Sequence, residues 1–172
     1  VFGCQKTEVK FMDDYVIREY KPGEPSLVCY FYYKLYEDQY KFKPCSEKYF
    51  LKSMCELFDD PKGSQMWIIE QEKTIVGSIA VIKRNEDSAQ LRLFAVDIAL
   101  QGKGLGNQLM NVAMNFCKKK GYKNVNLWTI DILKPARHLY AKFGFEPNGN
   151  TVENTDWADY PMLEEEWVYH GQ

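Results

Sequence analysis

The 172-residue chain reads as an α/β protein with a mixed, mostly antiparallel central sheet flanked by helices. Two observations carry that reading. Through the middle of the chain, short strand-like runs at Met66 to Glu70, Ile75 to Ile82 and Leu91 to Val96 are joined by tight turns, as in an antiparallel meander. The period then changes, because Leu105, Leu109, Ala113 and Phe116 or Cys117 fall on one helical face, and further strands alternate with helices as in crossover units.

In chain order, Tyr15 to Tyr20 forms a first strand stopped by the turn residues Lys21, Pro22 and Gly23. Two helices follow, Ser26 to Gln39 and Ser46 to Asp59, with Pro44 between them. Asp60 to Gly63 breaks the chain. Gln71 to Lys73 links the first two strands of the meander as a hairpin, and Asn85 to Asp87 turns into the third. The helix from Leu105 ends at Lys118, Lys119, Lys120 and Gly121, basic residues and a glycine suited to a helix C-terminus. Val125 to Thr129 is a strand and Pro135 to Phe143 a helix closed by Gly144. A strand starts at Phe145, and Met162 to Tyr169 is the last. No repeat, low-complexity tract or linker divides the chain, so one domain over 1–172 is expected, whether alone or as a segment of a longer protein.

The formal charge of -2 argues against direct nucleic-acid contact, which favours a basic excess. The 5 cysteines (Cys4, Cys29, Cys45, Cys55 and Cys117) are scattered and form no Cys-x-x-Cys pair, which points to a reduced, cytoplasmic protein and to no metal site. No run spans a bilayer and no leader is visible. No membrane partner is expected, and a homodimer is left open.

The most informative stretch is Leu93 to Asp97 followed by Gln101, Gly102, Lys103, Gly104, Leu105, Gly106 and Asn107. A strand, a glycine-rich turn and a helix N-terminus in that order form an anion site. Free N–H groups and the helix dipole converge, and glycine admits a diphosphate close to the backbone. The dinucleotide fingerprint fails at Asn107, and the P-loop fails for want of Gly-Lys-Ser/Thr. What remains is Gln-x-x-Gly-x-Gly, and downstream stand Asn126 to Thr129 and then Ala136, Leu139, Tyr140, Gly144 and Phe145 in the form A-x-x-L-Y-x-x-x-G-F.

Together these motifs resemble the GNAT superfamily of acetyl-CoA-dependent N-acetyltransferases. Ile17 to Tyr20, Gly77 to Ala80 and Leu127 to Thr129 are most similar to bacterial GNAT domains fused behind MarR-type regulators. The resemblance implies a sheet splayed between the parallel strands Leu91 to Val96 and Val125 to Thr129, with acetyl-CoA in the gap. It assigns the main chain of Phe94 and Val96 to the pantetheine arm and thioester. The pyrophosphate falls to Gln101, Gly102, Lys103, Gly104, Gly106 and Asn107, and the role of general acid for the departing thiolate to Tyr140.

Two positions depart from the family pattern. Leu133 stands where an Asn often contacts pantetheine, and Gln90 where several relatives carry a base Glu. Glu86, Asp87, Asp97 or a water chain are the remaining candidates for the base, each acid being equally readable as a solvated turn residue. Glu37, Asp38 and Asp156 would attract a cationic acceptor if they face the cleft. A cysteine-acyl route through Cys117 is disfavoured by its place in the C-terminal, Lys-rich end of the helix, where the dipole opposes a thiolate. The expected activity is direct acetyl transfer from acetyl-CoA to a primary amine in a small amine, amino sugar, peptide N-terminus or lysine. The alternative is a non-catalytic acyl-CoA sensor regulating an attached DNA-binding domain.

Overall fold

The computed structural model describes residues 9–10 and 15–171. Its strands are β1 (Val9–Lys10), β2 (Tyr15–Glu19), β3 (Gln65–Gln71), β4 (Thr74–Lys83), β5 (Ser88–Val96), β6 (Asn124–Ile130), β7 (Glu146–Asn154) and β8 (Met162–His170). The helices are α1 (Glu24–Tyr40), α2 (Glu47–Cys55), α3 (Leu105–Lys120) and α4 (Lys134–Lys142). The strands form one sheet in the order β1-β2-β3-β4-β5-β6-β8-β7. Every neighbouring pair is antiparallel except β5 with β6, so the mixed, mostly antiparallel sheet expected from the sequence is present.

Local chemistry explains the element boundaries. Gly23, at φ 91, turns the chain into α1, and Pro25 sits in the first helical turn, where its missing N–H costs nothing. The expected Ser46 to Asp59 helix is shorter than its pattern, with α2 flanked by 3-10 turns at Pro44–Ser46 and Glu56–Phe58. Tight turns with i to i+3 bonds are common at helix ends, and a periodicity argument does not separate them from α-helix. At the other end of the chain, α3 runs between left-handed Gly104 and Gly121. The Tyr122 N–H donates to the Cys117 carbonyl at 3.0 Å, a Schellman-type closure.

The sheet divides two cores. On one face α3 packs through Leu105, Leu109, Met110, Ala113 and Cys117 onto Ile69, Ile79, Val81, Leu91 and Leu127, with Tyr140 of α4 in the same cluster. On the other, α1 and α2 bring Val28, Tyr32, Phe50 and Met54 onto Met66, Ile68, Ala80, Ile82 and Ile130. Cys29, Cys45, Cys55 and Cys117 are free thiols, and Cys4 lies outside the described residues. Among the described residues no helix is long and apolar enough to cross a membrane. Nor is any group of three or more His, Cys, Asp and Glu side chains gathered for a metal.

Candidate active site

The site begins where the sheet opens. Strands β5 and β6 pair in parallel at Ser88 with Asn124, Ala89 with Val125 and Gln90 with Asn126, and the ladder stops there. Beyond it β6 stays bound on its far side to β8 as far as Ile130 with Glu164. The two strands expected to splay therefore part from Leu91 and Leu127 onward, leaving backbone groups of β5 facing a gap.

A bulge shapes β5 at the same level. Ser78 pairs with Ala95 and Ala80 with Arg92, so Leu93 and Phe94 together oppose Ile79. Leu93 takes φ 49, an unusual conformation for a branched apolar residue. The fully buried Ser78 hydroxyl donates to the Leu93 carbonyl at 2.8 Å, which helps to hold the distortion. Arg92 reaches Tyr49 of α2 and Leu93 joins the α1/α2 core, whereas Phe94 packs against the α3/α4 core. Consecutive side chains thus share one face, and the alternation resumes one residue out of step.

A cleft of ≈ 320 Å³ lies along this opening. Phe94, Val96, Gln101, Gly102, Gly104, Gly106 and Asn107 all line it, which brings together every expected cofactor position except Lys103. Gly102 and Gly104 have φ 80 and 81, and a Cβ on either would meet no protein atom within 4 Å, so the space beside them is open to a ligand. Gly106 differs. Its Cβ would stand 3.2 Å from Leu139 Cδ2, so this glycine lets α3 and α4 pack closely. The Lys103 ammonium donates to the Tyr15 hydroxyl at 3.1 Å and lies 5.4 Å from that ring centroid, so its side chain contacts β2. Lys142 is a cation that motif reading passed over: it donates to Asn107 Oδ1 at 2.8 Å and so stands beside the N-terminus of α3. Tyr36 and Tyr40 of α1 also line the cleft and were not singled out in the sequence.

A second cavity of ≈ 90 Å³ shares Tyr36, Phe94 and Leu133 with the cleft. Tyr140 lines it, 5 % exposed, with its ring centroid 5.9 Å from Phe94 and 6.3 Å from both Phe145 and Trp167. Burial pushes this phenol well above the ordinary tyrosine range. Arg92, Thr129 and Glu164 also line this cavity, and of these only Thr129 belongs to a motif stretch singled out in the sequence.

The candidate bases lie elsewhere. Gln90 is buried and accepts from Arg84 Nε at 3.0 Å. Glu86 pairs with Lys83 at 2.8 Å, and Asp97 accepts from the Ala99 N–H at 2.9 Å to cap a 3-10 turn. Asp87 accepts from Asn124 Nδ2 at 3.4 Å, and none of these four residues lines either cavity. Glu37 and Asp38 pair with Lys34 at 2.6 and 3.6 Å, and they and Asp156 are likewise off both walls. The Cys117 thiol is buried and pushed up to about 12 by desolvation, which removes it as a nucleophile near neutral pH.

This arrangement matches a known family. Residues 29–145 match the model of the Acetyltransferase (GNAT) family. The chain belongs to that family. Human N-acetyltransferase 8B is 29% identical over 114 residues, which is 63% of this chain and 50% of that protein. The Escherichia coli protein described as uncharacterized N-acetyltransferase YjgM is 33% identical over 99 residues, 56% of this chain and 59% of the other. The chain thus spans about half the length of these relatives. A Staphylococcus aureus acetyltransferase of the GNAT family superposes with TM-score 0.71 at 17% identity, covering 92% of this chain and 99% of that one, which shows a shared GNAT fold.

Proposed function

We propose that this GNAT domain transfers an acetyl group from acetyl-CoA to a primary amine by direct attack in a ternary complex. The observation that carries the proposal is the meeting of two cavities at Phe94, where β5 and β6 part: one reaches the glycine turn and the other reaches Tyr140. A donor in one and an acceptor in the other can meet there.

Acetyl-CoA, once bound, supplies the activated acyl group. The turn from Gln101 to Gly106 receives its diphosphate on main-chain N–H groups and the α3 dipole, with the Lys142 ammonium nearby. Lys103 contributes through its main chain, because its side chain is held by Tyr15. The open edge of β5 at Phe94 and Val96 pairs with the amide-bearing arm as with a peptide strand, and an N–H there polarises the thioester carbonyl. The amine nitrogen bonds to the carbonyl carbon as the carbon–sulfur bond breaks. Tyr140 gives its proton to the leaving sulfur and is reprotonated from the nitrogen. Leu133, at the position where an Asn is common, gives the passage an apolar side chain instead of an amide contact.

The scattered cysteines favour a cytoplasmic setting, and the sequence resemblance favours a bacterial one and kinship with MarR-fused domains. The deciding experiment is acetyl-CoA titration by calorimetry, followed by thiol release across an amine panel. Binding with turnover is expected. Absence of binding overturns the transferase reading, and binding without turnover on any amine favours the acyl-CoA sensor.

A further inference from the structure

The cavity around Tyr140 carries a charge pattern that the transfer chemistry itself does not require. Arg92 lies on its wall with a side chain only 17% exposed. One terminal nitrogen donates to the Tyr49 hydroxyl at 2.6 Å, and the guanidinium carbon lies 5.5 Å from that ring centroid. The other terminal nitrogen reaches Glu56 at 3.5 Å, but Glu56 makes its shorter contact, 2.5 Å, with Arg84. One carboxylate is therefore shared by two guanidinium groups, and the buried Nε of Arg92 has no hydrogen-bond partner. Glu164 of β8 lines the same cavity, with one oxygen accepting from Asn154 Nδ2 at 2.9 Å. The buried Thr129 hydroxyl, also lining the cavity, is without a partner.

A desolvated guanidinium with a donor unspent and its charge half compensated is a costly feature unless something completes it. A carboxylate does so best, because two oxygens match the planar fork of Arg. A carboxylate in the same cavity, on Glu164, suits the ammonium form in which an amine arrives. Both charges front one cavity of ≈ 90 Å³ walled by Tyr32, Phe42, Phe50 and Trp157, so the two complementary groups must belong to one compact molecule.

We infer that the acceptor is a small free amino acid whose carboxylate is held by Arg92 and whose amine faces Glu164 and Thr129. The inference rests on the transferase reading and narrows its acceptor from primary amines in general to zwitterions.

The test uses the whole chain at saturating acetyl-CoA, with thiol release measured for free amino acids, their carboxamides and the amines formed by removing the carboxyl group. A peptide of the same first residue is the fourth arm. At least one free amino acid is expected to exceed its carboxamide, its amine and the peptide by about 100-fold in kcat/KM, the scale of a lost charge-assisted pair. Arg92→Gln should shrink that ratio to below about 10-fold, chiefly by raising KM for the amino acid. Arg92→Lys, which keeps the charge and loses the fork, should fall between and guards against a folding defect in the first variant. Calorimetric binding of acetyl-CoA should persist in both. Carboxamides, amines or the peptide consumed as fast as the free amino acid would overturn this inference while leaving the transferase standing. So would discrimination unchanged by Arg92→Gln. Failure of the unmodified chain to bind acetyl-CoA would overturn the transferase reading, and this inference with it.

Discussion

Burial sets the working range of Tyr140. Enclosed by Phe94, Phe145 and Trp167, its phenol is held in the neutral form, and the pKa moves up from an ordinary value of about 10. A raised pKa means that the proton is kept to higher pH, so loss of the general acid should not limit turnover below about pH 10. Tyr140→Phe keeps the ring and its packing and removes the proton. It should lower kcat by about 10²- to 10⁴-fold with little change in acetyl-CoA affinity, and wild-type turnover in steady-state assays would leave Tyr140 a packing residue. Gly104 poses the complementary case. A Cβ there meets no protein atom, yet the residue holds φ 81, so Gly104→Ala should cost the fold only about 1–2 kcal/mol through backbone strain. Acetyl-CoA affinity should fall much further, because the methyl group enters space beside the diphosphate. Parallel denaturant and calorimetric titrations separate the two effects, and equal losses in both would place the diphosphate elsewhere.

At the scale of elements, sequence legibility followed locality. The glycine turn, α3 and the Tyr140 helix were readable because a dipole, a left-handed glycine and a 3.6-residue period are written in neighbouring residues. The β5 bulge was not. Leu91 to Val96 is a uniform apolar run around Arg92, and strict alternation would put Arg92 and Phe94 on one face, whereas the bulge puts Arg92 with Leu93. Glu164 sits in a run of three acids that reads as solvent-facing until β8 is paired with β6. Lys103 stands in the glycine turn, and its ammonium donates to the Tyr15 hydroxyl from a strand far away in the chain. Each of these depends on a tertiary partner that no local pattern names. The bulge also makes a stability prediction. Ser78→Ala removes the donor to the Leu93 carbonyl in a fully buried setting, which should cost about 1–3 kcal/mol in urea unfolding. Because the Leu93 conformation lies beside the open edge, KM for acetyl-CoA should rise in the same variant. A loss of stability with unchanged KM would separate the bulge from the cofactor edge.

Across the whole molecule, the parallel junction joins a meander, β2 to β5, to a second unit of β6, β8 and β7. It is held by the pairs Ser88 with Asn124, Ala89 with Val125 and Gln90 with Asn126, while β6 and β8 pair from Asn124 to Ile130. A ligand that lies along the β5 edge and reaches α3 and α4 adds cross-links where β5 and β6 no longer pair. Such a ligand binds the folded state alone, so at one hundred times its dissociation constant it should add about 2.7 kcal/mol. For a domain of this size that corresponds to a rise of roughly 5–11 °C in melting temperature. Hydrogen exchange should locate the gain. Amides of β5 beyond Gln90 and of the Gln101 to Gly106 turn should slow most on acetyl-CoA addition, and those of β2 and β3 least, since they lie outside the cleft. Protection spread evenly over the sheet would mean that binding tightens the molecule globally and does not act through the open edge. Protection confined to the turn would mean that the diphosphate is held there while the arm lies off the strand, which would take Phe94 and Val96 out of the site.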